Sequence, residues 1–149
     1  MPIPPLIRLV FAMLTSMVVL ALLRPPDVQA GVTRAERKLH AAINTARRAY
    51  GLRPLRFGWR IEVGARRWAR YLRVSGSFFH ARVGSGVAEN LGWVTCRRRW
   101  ARPLVRMWLR SSAHRWALLD RRTRYVGVGV STGGWRGFSC VRMTVTRFR

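Results

Sequence analysis

Past residue 30 the chain offers only four carboxylates, Glu36, Glu62, Glu89 and Asp120, so acid–base chemistry has little to draw on. A glycosidase needs two carboxyl groups held at a defined separation. Glu36 closes the run Thr33-Arg34-Ala35-Glu36, a capping box that assigns it to a helix start rather than to an acid pair. Serine chemistry is no better supported. Ser77 lies near His80, and Ser111 and Ser112 lie near His114, but none sits in the Gly-x-Ser-x-Gly elbow that exposes a nucleophile. No His-Glu-x-x-His run marks a local zinc site. Cys96 and Cys140 lack the Cys-x-x-Cys spacing of metal ligands. In an exported chain they read as one disulfide, contributing on the order of 3–4 kcal/mol through the unfolded state. Two free thiols are the alternative.

The abundant functional group is the guanidinium. Lys and Arg number 29 against 5 Asp and Glu, for a net charge of +24, and only Lys38 among the basic residues is not arginine. Arginine pairs with oxyanions through a planar fork and keeps its charge at any relevant pH. The partners this predicts are anionic: phosphates, anionic lipids, nucleic acid or acidic cell-wall polymers. The competing reading is compositional, a GC-rich coding sequence filling solvated helix faces with arginine, because the arginines are spread along the chain.

The elements that position these groups carry their own start and stop signals. A first helix runs from the capping box to Gly51, with Ala35, Leu39, Ala42, Ile43, Ala46 and Ala49 at helical spacing and Arg34, Arg37, Lys38 and Arg48 toward solvent. Gly51-Leu52-Arg53-Pro54-Leu55 makes a turn. A second helix follows, with Ile61, Ala65, Trp68, Ala69 and Leu72 as its buried stripe and Ser75-Gly76 as its end. A loop then carries Phe78, Phe79 and His80, and Val87 to Thr95 reads as a strand or an extended connection. Pro103 belongs in a first helical turn, which predicts a helix over about Arg102 to Ser111. Leu104, Val105, Trp108 and Leu109 then face inward, and Arg102, Arg106 and Arg110 line an outer, anion-binding face. Val126, Val128 and Val130 alternate with glycines as a strand, Gly133-Gly134 reads as a turn, and Phe138 to Phe148 as the hairpin partner. Helices first and strands last predict an α+β fold, with helices packed on a small antiparallel sheet.

The N-terminal stretch differs in kind. Arg8 precedes an apolar run from Leu9 to Leu23, and Val28-Gln29-Ala30 has the small-residue pattern of a cleavage site. This predicts a signal peptide over residues 1–30, a mature domain over 31–149, and secretion to an extracellular or periplasmic compartment. The run falls short of the roughly 20 residues of a membrane span. A lipid anchor would need a cysteine at the cleavage site, where there is none.

Several motifs together resemble a known family. Trp108-Leu109-Arg110-Ser111-Ser112-Ala113-His114-Arg115, followed by Leu118-Leu119 and Tyr125-Val126-Gly127-Val128-Gly129-Val130, is similar to the bacterial SCP-domain pattern of Trp-x-x-Ser-Pro-Gly-His-Arg, a leucine pair and Gly-Val-Gly. Asn44 with Arg47 and Arg48, then Gly51 to Leu55, resemble that family's first helix and turn, as Phe79-His80 resembles its loop histidine and Ala88-Glu89-Asn90-Leu91 its Ala-Glu-Asn-(Ile/Leu) signature. In order, and over about Thr33 to Phe148, these resemble the CAP superfamily of cysteine-rich secretory, antigen 5 and pathogenesis-related 1 proteins.

The resemblance implies an α-β-α sandwich with a cleft where histidines and glutamates converge, at His80, Glu89 and His114 here. In some members the histidines hold a divalent metal, which would place Zn on His80 and His114. A fourth family position, a glutamate before the last histidine, has no counterpart, since Leu109 to Ala113 contain no carboxylate. The connection of eight residues between His80 and Glu89 is also shorter than the family leads one to expect. Two imidazoles and a carboxylate with water in the fourth position would be an open catalytic zinc site; in the alternative, Glu89 and the histidines are held by structural hydrogen bonds. Trp68 and Trp108 read as core, while Trp59, Trp93 and Trp135 stay unassigned, and Phe78 and Phe79 either line the cleft or plug it. The function expected is a noncatalytic secreted binding module for a lipid, cell-wall polymer or protein. Its rivals are a metal-dependent hydrolase using His80, Glu89 and His114, and a charge-driven binder of nucleic acid or another anionic polymer.

Overall fold

The computed structural model describes residues 31–149, and the leader expected over residues 1–30 lies outside the described residues. Helix α1, Arg34–Ala49, opens in the capping box: Glu36 N–H donates to Thr33 Oγ1 at 3.2 Å, and Thr33 N–H donates to Glu36 Oε2 at 2.8 Å. It ends in a Schellman motif. Gly51, at φ 67°, donates to the Arg48 carbonyl and Leu52 donates to the Arg47 carbonyl.

Two α1 side chains then fix where the chain goes next. Asn44 brackets Leu55, accepting its N–H at 2.8 Å and donating to its carbonyl at 3.0 Å. Arg47 is fully buried and donates to the carbonyls of Arg53, Leu118 and Asp120. Strand β1, Arg56–Phe57, follows directly. Helix α2, Trp59–Ser75, stops at Gly76, which takes a left-handed conformation at φ 70°.

The remaining elements are β2 (Ala88–Thr95), α3 (Ala101–Arg110), α4 (Ser112–Leu119), β3 (Tyr125–Trp135) and β4 (Phe138–Phe148). The sheet order is β1-β3-β4-β2, so β2 is an edge strand. Its pairs are antiparallel except for β1, which lies parallel to β3 and makes a mixed sheet of the antiparallel one expected.

The alternation Val126-Gly127-Val128-Gly129 explains the layering, because successive strand residues point to opposite faces. Val126 and Val128 pack with Leu39, Ile43, Trp108 and Leu118, the core shared with α1, α3 and α4. On the other face a Cβ at Gly127 or Gly129 would overlap the backbone of Glu62 or Ala65, so α2 lies directly against the sheet. Leu91, Val141, Met143 and Val145 complete that second core with Ala65, Ala69 and Leu72. The result is the α-β-α sandwich.

Three local expectations are corrected. The β3–β4 strands run through Gly133, and the turn is Arg136-Gly137 (φ 43° and 81°) between the paired Trp135 and Phe138. Positive φ at both central residues is the two-residue primed turn that suits the twist of a hairpin, and a register shift between Gly133 and Trp135 absorbs the misplaced glycine pair. The helix expected over Arg102 to Ser111 is followed by a second one, α4, that the pattern did not announce. Trp68 is half-buried, packed against the edge of the second core rather than inside it. Its indole N–H donates to the Phe79 carbonyl at 3.2 Å and its ring stacks on Tyr71, because a polar indole edge at a helix rim can reach a loop carbonyl that a core position would deny it. Trp108 is fully buried as expected, donating to the Leu91 carbonyl of edge strand β2 at 2.8 Å.

Cys96 and Cys140 form a disulfide, with Cα atoms 5.5 Å apart, that ties the end of β2 to β4. Glu36 and Glu62 are both buried and converge on Arg66, whose guanidinium lies 2.7 Å from each. Burial raises the Glu62 pKa, opposed by the Arg66 charge and reinforced by Glu36.

Candidate functional site

Adjacent residues at the start of β2 hold the two histidine-bearing segments, one on each face of the sheet. Glu89 turns toward the α2 side. Its Oε1 accepts the Ala81 N–H at 2.9 Å and faces His80 Nδ1 at 3.2 Å, while Oε2 accepts from Arg147 Nε at 3.0 Å. Only 2% of the Glu89 side chain is exposed, against 57% of His80. Asn90 turns to the opposite face and donates from Nδ2 to the His114 carbonyl at 3.0 Å. His114 lies in the first turn of α4, its Nδ1 3.0 Å from Ser111 Oγ.

Nδ1 of His80 donates to the carboxylate, which leaves Nε2 as the ring nitrogen turned away from Glu89. Burial lowers the His114 pKa, and a charge on His80 lowers it further, so His114 is neutral at pH 7 and the two imidazoles are within electrostatic reach. The structure thus puts His80 in contact with Glu89, while His114 is held by Ser111 and Asn90. Among the described residues, no group of three or more His, Cys, Asp or Glu side chains is arranged to hold a metal ion. The donor set explains this: both Glu89 oxygens are already engaged by Ala81, His80 and Arg147. The hydrogen bonds at Nδ1 leave the Nε2 atoms of His80 and His114 as the ring nitrogens over for another partner. Three surface grooves, of about 610, 450 and 590 Å³, have none of His80, Glu89 and His114 in their walls.

Arg102, Arg106 and Arg110 are all exposed on α3 and, among the described residues, pair with no carboxylate. Glu36 and Glu62 meet as the sequence did not suggest, but both are buried against Arg66, where no substrate reaches them.

Three residues of the site were not singled out for these contacts: Arg147, Ser111 and Asn90. Arg147 stands directly across from Glu89 in the β2–β4 register, a charge pair that the alternation of both strands would have shown once they were aligned. Ser111 lies three residues before His114 at a helix start, a spacing visible in sequence only once α4 is recognised.

Known proteins add the context. The model of the cysteine-rich secretory protein family, CAP, matches residues 40–144. An outer surface protein from Borrelia burgdorferi is similar in structure at a TM-score of 0.59 and 20% identity, covering 78% of this chain and 93% of that one. An extracellular SCP-domain protein from Bacillus anthracis is similar at a TM-score of 0.57 and 17% identity, covering 76% of this chain and 39% of that longer one. MpPR-1i is similar at a TM-score of 0.56 and 18% identity, covering 75% of this chain and 84% of that one. No curated protein sequence matches significantly. With well over half of its length inside the matched span, and with the sandwich fold those structures share, the chain belongs to the cysteine-rich secretory protein family, CAP.

Proposed function

We propose that the protein is a secreted, noncatalytic binding module that engages anionic polymers of a cell surface or its surroundings through its arginine surface. The observation that carries this is the division of charge. The one carboxylate beside the histidines is engaged by its neighbours, whereas Arg102, Arg106 and Arg110 project from α3 without an acidic partner among the described residues, in a chain of net charge +24. Export is supported by the cleavable leader in the sequence, by the disulfide, which persists in oxidising compartments, and by the surface and extracellular descriptions of two structurally similar proteins.

A salt titration tests the reading. Charge-driven binding loses affinity linearly in log K against log salt, with a slope of about −0.7 to −0.9 per phosphate neutralised on nucleic acid. Replacing Arg102, Arg106 and Arg110 by alanine should weaken polymer binding and flatten the slope, and His80→Ala or His114→Ala should change neither. Salt-insensitive binding lost with His114→Ala would overturn the proposal.

A second reading is favoured by one observation. His80 Nδ1 is oriented by Glu89 and His114 Nδ1 by Ser111, as outer partners orient metal-binding imidazoles, leaving two Nε2 donors. A divalent ion such as Zn held there would act as a Lewis acid, with Glu89 positioning His80 rather than binding the ion. Metal analysis of the purified protein, repeated on His80→Ala with His114→Ala, decides it: stoichiometric metal lost in the double variant supports a metal site.

A further inference from the structure

We infer that the groove between α1 and the start of α3 is a binding site for phosphate-bearing chains, held by Lys38, Arg98, Arg99 and Arg102. The inference rests on the anionic-polymer reading and gives it a place on the molecule away from the histidines. The groove has a volume of about 610 Å³. Ala41, Ala42 and Thr45 of α1 and Trp100 and Ala101 of the α3 start supply its largely apolar lining, and the four cations line the rest. No acidic residue lines it, and none of the four cations pairs with a carboxylate among the described residues.

The backbone that carries Arg98 and Arg99 is also held in place. Arg97-Arg98-Arg99 follows Cys96, whose disulfide and N–H both reach Cys140 on β4. Arg142 of β4 donates to the Arg97 carbonyl at 3.3 Å and lies over the Trp100 ring at 5.5 Å. The connection from β2 to α3 is therefore fixed at both ends, which lowers the ordering cost when a ligand binds. In addition, α3 starts with neither a side-chain cap nor an acidic residue in its first turn, and two residues of that start, Ala101 and Arg102, line the groove. Open N–H groups at a helix start favour the same sign of ligand as the cations do.

Charge balance sets the ligand class. Four cations around one open groove exceed what a single small anion neutralises. A chain of phosphates supplies successive oxyanions that match the arginine fork, and it can leave the groove along the exposed row Arg106 and Arg110 of α3.

The test uses short linear inorganic polyphosphate, titrated by calorimetry at several salt concentrations against the protein from residue 31 onward. Three variants separate a site from diffuse charge. Arg98→Ala with Arg99→Ala and Arg102→Ala removes the groove cations. Arg67→Ala with Arg70→Ala and Arg121→Ala removes equal charge from exposed positions elsewhere. Ala41→Trp, at an exposed wall position, keeps every charge and fills the groove. The groove triple variant should bind about tenfold more weakly or worse, with a salt slope about 2 units shallower for three lost contacts. Ala41→Trp should weaken binding several-fold, and the remote triple variant should stay within about twofold. Equal loss in both triple variants with Ala41→Trp unaffected would overturn the groove and leave the anionic-polymer reading standing. Absence of binding by the wild type at low salt would overturn that reading, and the groove with it.

Discussion

The two ends of strand β2 use charge in opposite ways. At Glu89 every charge is met inside the molecule: the carboxylate takes Arg147 from the neighbouring strand and holds the His80 loop. Seven residues on, at Cys96, a covalent bridge fixes the chain, and the arginines that follow have no acidic partner among the described residues. A charge that is buried must be paired, because leaving it alone costs several kcal/mol, so the Glu89 end is architecture first. A charge in water needs no partner, so the Cys96 end can present arginines outward as long as something else orders the backbone. The disulfide and Arg142 do that ordering.

The largest effect should come from the covalent end. Cys96→Ser with Cys140→Ser should cost roughly 4 kcal/mol for a crosslink of this span, read as a lower midpoint in chemical denaturation. An unchanged midpoint would mean that backbone contacts alone fix the basic connection. Glu89→Gln should come next, at about 2–3 kcal/mol, since it leaves Arg147, only 15% exposed in its side chain, without its counter-charge. A loss below about 0.5 kcal/mol would place that carboxylate outside the architecture and reopen a catalytic role.

A smaller difference is a pH response to which two histidines contribute. Burial lowers the folded-state pKa of His114, and of His40 in α1, below 6.5. Well above pH 6.5 both states are neutral and the stability is complete. As the pH falls below that value the unfolded chain takes up protons first, and stability declines through the lowered folded-state values. His114→Gln should flatten part of this decline, with His40 retaining the rest, and denaturation midpoints at pH 7.5 and 5.5 measure it. The arginine end, always protonated, should add nothing to the slope. The smallest effect on stability belongs to Arg98→Ala with Arg99→Ala and Arg102→Ala, within about 0.5 kcal/mol, because exposed charges carry little of the fold. A loss of several kcal/mol there would show that these arginines are structural and erase the contrast between the two ends.

Much of this organisation was legible along the chain. The capping box, the glycine stops at Gly51 and Gly76 and the Val-Gly alternation of β3 depend on local backbone geometry, so neighbouring residues suffice to show them. The order of motifs likewise pointed to the family, and the lone cysteine pair to its bridge. Other features were hidden because they depend on distant partners. Arg47 stands in the sequence only as part of a motif with Asn44, and nothing local shows the three carbonyls that close on it. Gly133-Gly134 is a good turn in isolation, but pairing of β3 with β4 carries the turn to Arg136-Gly137. Helix α4 is hidden because its stripe is short and only Ser111 separates it from the end of α3.

By itself, then, the sequence determined the order of the longer helices and the final hairpin, the sign and size of the charge and the residues available for chemistry, since each follows from composition or local spacing. Only the tertiary structure decided which charges are paired. Glu89 meets Arg147 through strand register, Glu36 and Glu62 meet on Arg66 through helix packing, and Lys38 joins Arg98, Arg99 and Arg102 around one groove through the docking of α1 on α3. Such pairings are set by distances between residues far apart in the chain, and the burial that makes them obligatory exists only once the layers have packed.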